Sequence, residues 1–124
     1  MDDFVDVIIP RGGRSLIERV INESKVHVIR HLDGICHTYI HKSSIANLSK
    51  EVAVNAKMRR PGICGATETI LIDKEILSTH LPDIIKSLTE MDCEVRGDKH
   101  VLDINNSLKL ANEEDWYTEY LDKI

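Results

Sequence analysis

The run FVDVIIPRGGRSLIERVINESKVHVIR, residues 4–30, is the feature that most limits the folds open to this chain. Its first six residues form a short apolar stretch rich in Val and Ile, which reads as a buried strand. Pro10, Arg11, Gly12 and Gly13 interrupt it. SLIERVINES then places Leu16, Ile17, Val20 and Ile21 on one face at helical spacing. VHVIR, residues 26–30, reads as a second strand. Strand, glycine turn, helix and strand make a βαβ unit, right-handed by default.

The same alternation continues downstream. HLDG, residues 31–34, is a turn, and ICHTYI, residues 35–40, is expected as a third strand. Ser43 or Ser44 is placed to cap a helix running to Met58, with Ile45, Leu48, Val52 and Ala56 as its apolar stripe. Pro61 and Gly62 end that helix, so residues 59–65 are a loop. TETILI, residues 67–72, alternates and reads as a strand. A helix is expected from Lys74 to Met91, with Pro82 starting its second part or kinking it. CEVRG, residues 93–97, is a short strand, and residues 98–104 suit a helical turn. The tail NEEDWYTEYLDKI holds three of the five aromatics. Trp116, Tyr117 and Tyr120 read there as packing residues, and acidic residues 113–115 suit a helix N-terminus. No repeat or low-complexity linker interrupts the pattern. The fold class is α/β, with a mainly parallel sheet flanked by helices.

Composition removes several functions. A chain of 124 residues can bury one modest core, and 42% hydrophobic residues is a globular composition. A net charge of -5 argues against a broad nucleic-acid footprint. No apolar run approaches the roughly 20 residues of a membrane span. The opening MDDFVDVIIP lacks a basic run before an apolar one, so no secretory leader is expected. Cys36, Cys64 and Cys93 form no CxxC pair, which suits a reducing cytoplasm better than a disulfide framework.

Three places could carry chemistry. In IPRGGRSLI a strand ends, glycines allow a tight turn and a helix starts. Backbone N–H groups there suit an anion, with Arg11 and Arg14 adding charge; the alternative is a plain turn, since no GxGxxG or Walker pattern is present. Cys36, His37 and His41 invite a metal reading. In a strand, however, His37 and His41 lie about 13 Å apart, too far for one zinc, and Cys36 faces the other way. No metal site is expected, and His37 reads as a hydrogen-bonded strand residue. The third place is Cys64, in RRPGICGATETI. It reads either as a small buried hydrophobe or as a nucleophile on a turn. Lys57, Arg59 and Arg60 lie just upstream, where positive charge favours a thiolate; they also fit a solvated helix end. Gly62 and Gly65 would let a substrate approach the backbone.

VDVIIPRGG, DGICHTYI, VNAKMRRPGICGATETILID, EVRGD and EEDWYTEYLD occur in this order. Together they closely resemble the gamma-glutamyl phosphate reductase family, also called glutamate-5-semialdehyde dehydrogenases, of the aldehyde dehydrogenase superfamily. The resemblance covers residues 4–122, and its NAK-x-RRP-x-x-C-x-A-x-ETIL block is the most specific part. It implies reduction of L-glutamyl 5-phosphate by NADPH, in proline biosynthesis, to glutamate 5-semialdehyde and phosphate. Cys64 matches the cysteine that forms the thioester. The IPRGG turn matches the strand-turn-helix beside the cofactor phosphates, which makes Arg11, Gly12 and Gly13 cofactor contacts. His31 roughly occupies the place of the Glu base of hydrolytic aldehyde dehydrogenases, a departure that suits a thioester reacting with hydride rather than water.

The resemblance also implies a truncated chain, matching the middle of a family member. Residues 1–34 would be the last βαβ of a dinucleotide-binding domain, and residues 35–124 the front of a catalytic domain. Three classes follow: an NADP-dependent reductase, whole or as a piece; an inactive remnant keeping Cys64; and an interaction module whose exposed edges pair with another chain. A homo-oligomer is expected, because apolar surface would otherwise face water.

Overall fold

The structure, a computed structural model, describes residues 3–31 and 33–124. The chain divides into two compact units, residues 1–34 and 35–124.

The first unit is one βαβ. β1 (Val7–Ile8) pairs in parallel with β2 (His27–Val28), in the register Val7 to His27 and Ile8 to Val28. Both strands are shorter than their apolar runs suggest. Phe4 and Ile9 stay exposed, so only the central pair enters the ladder. α1 (Arg14–Glu23) crosses between the strands and buries Ile17. On its outer face Arg14 pairs with Glu18 and Asp33, and Arg19 pairs with Glu23.

The second unit repeats the theme twice. β3 (Cys36–Ile40) and β4 (Thr67–Ile72) are parallel, joined by α2 (Ala46–Met58). A short 3-10 turn (Lys74–Ile76) leads into α3 (Leu77–Thr89), which runs on through Pro82. The helix ends where Asp92 turns left-handed (φ 59), as short polar side chains tolerate. β5 (Arg96–Gly97), α4 (Lys99–Ile104) and β6 (Lys109–Leu110) make the last parallel βαβ. Gly97 is required there: a Cβ would meet Val101 Cγ1 at 2.3 Å, so α4 could not close on β5. Asp98 caps α4 by accepting from the Val101 N–H. A 3-10 turn (Glu113–Tyr117) follows, capped by Asn112 in a reciprocal capping box with Asp115. The acidic residues 113–115 thus sit at a helical start, as their charge favours.

The core of this unit joins β3 to two helices. Ile40, Ala53, Ile84, Leu88 and Cys93 are buried together, with Ile70 and Ile72 of β4 packed against them. Among the described residues the strands form three separate parallel pairs rather than one continuous ladder.

Two helix expectations are corrected. Neither Ser43 nor Ser44 caps α2; Ile45 holds that place, and the Ser44 hydroxyl turns instead to His80 Nε2 at 3.4 Å. The stripe Ile45, Leu48 and Val52 is also not the buried face: these side chains are 69%, 55% and 51% exposed. Ser49, Ala53 and Lys57 are buried in their place. The small Ala53 clusters with Ile84 and Leu88 of α3.

Candidate active site

Cys64 sits on the turn that joins α2 to β4. The sequence builds this turn simply. Arg59 closes α2 by donating its N–H to Asn55 O, and Pro61 and Gly62 cannot extend the helix. The Ala66 N–H then bonds Ile63 O at 2.9 Å, folding the main chain back around Cys64 before β4 begins. The thiol is exposed, which removes the buried-hydrophobe reading. Gly65 faces open space, so a substituent there would meet nothing within 4 Å.

Two contacts hold this turn. The Cys36 thiol, half-buried at the start of β3, donates to Cys64 O at 3.2 Å. Below the turn, Lys57 on α2 and Glu68 on β4 form an ion pair at 2.9 Å, with side chains only 5% and 2% exposed. The pair spans the foot of the loop and fastens its two ends together. The other Glu68 oxygen accepts from the Leu121 N–H at 3.1 Å, which ties the tail to the same point. Leu121 has φ 54, a left-handed backbone that costs a leucine about 1 kcal/mol. Lys57 is therefore not part of a solvated helix end; Arg59 and Arg60 are exposed and fit that description. Sequence reasoning missed Glu68, because a glutamate in an alternating strand reads as solvent-facing until its partner is known.

Three histidines are bonded to neighbouring groups. His37 Nδ1 donates to Ile35 O at 2.8 Å. His41 bonds Ser43, and His80 is buried between Thr79 and Ser44. Among the described residues no three His, Cys, Asp or Glu side chains converge on a common metal position.

In the first unit, Gly13 is the N-cap of α1, with no side chain capping the helix and no acidic residue in its first turn. Arg11 and Gly12 precede it and are exposed. The exposed Arg11 stands beside this start, while Arg14 in its first turn pairs with Glu18 and Asp33. His31 is exposed at the end of the same unit.

A cavity of about 290 Å³ lies elsewhere in the second unit, between β4, α3, β5 and the tail. It is mostly apolar and Cys64 is not among its lining residues. At its edge Arg96 bonds Glu94 and Asp115, at 2.7 and 2.6 Å. The Tyr120 hydroxyl also donates to Asp115. That bond, with those from the Asn112 N–H and Arg96, holds the Asp115 carboxyl at about 2, below its ordinary range. Glu94 is lowered by its bonds from Lys109 and Arg96. Among the described residues, Glu119 Oε1 is a buried acceptor without a hydrogen-bond partner.

The parallel βαβ units are part of the aldehyde dehydrogenase fold. Betaine aldehyde dehydrogenase from Staphylococcus aureus, solved with NAD+, superposes with a TM-score of 0.57 at 17% identity, over 76% of this chain and 19% of that one. Within this class the chain resembles the gamma-glutamyl phosphate reductases along its whole length. The crystal structure of the Thermotoga maritima enzyme matches with a TM-score of 0.87 at 37% identity, over 97% of this chain and 29% of that one. The gamma-glutamyl phosphate reductase of Rhodospirillum rubrum is 52% identical over all 124 residues, which are 29% of its length. The chain thus spans under a third of the relatives it matches. No family model matches it.

Proposed function

We propose that this chain carries the nucleophile of an NADP-dependent gamma-glutamyl phosphate reductase, with L-glutamyl 5-phosphate as its substrate. The observation that carries the reading is the placement of Cys64. Its exposed thiol stands on a turn held from below by a buried ion pair, in a chain about half identical to enzymes of that name.

The chemistry follows from the thiol. The Cys64 sulfur attacks the acyl phosphate carbon, phosphate leaves with the electron pair of the C–O bond and carries off the thiol proton, and a thioester forms. Phosphate is already a good leaving group, so no strong general base is required at this step. The exposed Arg59 and Arg60 present positive charge to an anionic substrate. A bound reduced nicotinamide would supply the hydride that converts the thioester to an aldehyde. Arg11, Gly12 and Gly13 would hold its phosphates at the start of α1, where backbone N–H groups and the helix dipole favour anions. Residues 1–34 then act as part of a cofactor-binding domain, and residues 35–124 as part of a catalytic one. Placement in the cytoplasm fits a chain in which no described helix is long and apolar enough to cross a membrane.

The test is the reverse reaction. The chain is mixed with glutamate 5-semialdehyde, phosphate and NADP+, alone and with the rest of a relative supplied in trans, and NADPH absorbance is followed. Phosphate-dependent turnover that disappears in Cys64→Ser is expected. Turnover that survives the substitution would remove Cys64 from the mechanism, and no turnover under either condition would favour the inactive-remnant reading.

A second reading has one observation of its own. The exposed stripe Ile45, Leu48 and Val52 suits self-association into a homo-oligomer.

A further inference from the structure

Cys64 has a second cysteine at its back. Cys36 opens β3 in register with Thr67 of β4, three residues beyond Cys64. The ladder is irregular between Cys36 and His37, so Cys36 is offset from the regular register of the strand. Its sulfur reaches the main chain of Cys64, with Sγ 3.2 Å from Cys64 O. A carbonyl oxygen lies close to its own Cα, which puts the Cys36 sulfur within roughly 5.6 Å of the Cys64 Cα. Forming a disulfide from that position requires the two Cα atoms to come to about 4.4–6.8 Å, with a suitable side-chain rotation. The remaining adjustment falls on the turn bracketed by Gly62 and Gly65, where Gly65 borders open space. Cys64 is exposed to a soluble oxidant, whereas Cys36 is half-buried behind it.

We propose that Cys36 is a resolving cysteine, and that peroxide converts the Cys36 and Cys64 thiols into a reversible intramolecular disulfide. The Cys64 sulfur attacks the peroxide O–O bond, giving a sulfenic acid and one water. The Cys36 sulfur then attacks that sulfenic sulfur. The S–S bond forms, the S–O bond breaks, and hydroxide leaves as a second water with the Cys36 proton. Two thiols are oxidised and one peroxide is reduced; a dithiol reverses the change by exchange. The consequence is protection as well as inhibition. A sulfenic acid without a resolving thiol proceeds to sulfinic acid, which thiols do not restore. This proposal does not depend on the reductase reading, because it requires only the two thiols and their geometry.

Cys93 is the internal control. It is buried, and burial raises its thiol above the ordinary cysteine value, so it should stay reduced under mild peroxide. The experiment treats the intact chain at low concentration with equimolar hydrogen peroxide, blocks free thiols and maps tryptic peptides without reduction. The three cysteines fall in separate tryptic peptides. The expected result is a linked peptide pair containing Cys36 and Cys64, loss of two hydrogens from most of the chain, free Cys93, and full return with dithiothreitol. In Cys36→Ser the same dose should leave Cys64 as a sulfenic acid, trapped by dimedone, and a second equivalent should carry it to sulfinic acid. The proposal is overturned if wild-type Cys64 overoxidises while Cys36 remains a free thiol, or if the disulfide formed involves Cys93 or a second chain.

Discussion

Lys57 is an ammonium taken almost wholly out of water, and Glu68 is its compensation: the two side chains are 5% and 2% exposed at 2.9 Å. Removing one member of such a pair leaves the other charge buried and unpaired, while replacing both with apolar groups does not. Lys57→Met should therefore cost about 3 kcal/mol of unfolding free energy, and Lys57→Met with Glu68→Leu should recover most of that. Urea unfolding of both variants measures this. Equal losses would mean that packing, not charge, matters at this position. The pair also fastens both ends of the Cys64 turn, so Lys57→Met should change the rate of Cys64 alkylation by iodoacetamide in chain that is still folded. An unchanged rate would assign the pair to stability alone.

At the level of elements, the sequence shows most clearly what a single segment decides. The Pro-Gly turn bearing Cys64, the β1–α1–β2 unit and the long α2 and α3 helices are all written in local residues. The rotation of α2 is not, because the burial of Ala53 depends on Ile84 and Leu88 of α3, which lie on another element. β6 was not legible either: Lys109 and Leu110 are both exposed, and only pairing with Arg96 and Gly97 makes them a strand. Glu68 escaped notice for the same reason, since its partner lies on another element. The 3-10 turn over residues 113–117 yields a prediction at this scale. The folded Asp115 carboxyl sits at about 2 against an ordinary 3.8, first through the Tyr120 hydroxyl, then through the Asn112 N–H and Arg96. A depressed carboxyl contributes stability above its ordinary value and loses it as pH falls through its folded value. The tail should hold above pH 3.8 and loosen on approach to pH 2. Trp116, the sole tryptophan and the neighbour of Asp115, should report this by fluorescence. Asp115→Asn should show the loosened signal already at neutral pH. A wild-type signal flat down to pH 2 would contradict the assignment.

Across the whole molecule the unresolved matter is where the apolar surface of α2 goes. Ile45, Leu48 and Val52 lie at the i, i+3 and i+7 positions of one helical face, and each is more than half exposed. Exposed apolar side chains are ordinary when scattered singly, but a contiguous helical stripe marks a contact surface. The first relatives it matches are more than three times as long, so in them this face has other polypeptide available to cover it. For the chain by itself a second copy is the available cover, and a symmetric helix-to-helix contact buries the same stripe on both partners. Size-exclusion chromatography with light scattering should therefore give a concentration-dependent dimer at micromolar chain. Leu48→Glu with Val52→Lys should shift it to monomer without loss of helical circular dichroism, because neither side chain belongs to the buried core. A monomer at every concentration would show that the stripe is tolerated in water. A dimer that survives both substitutions would place the contact on another face.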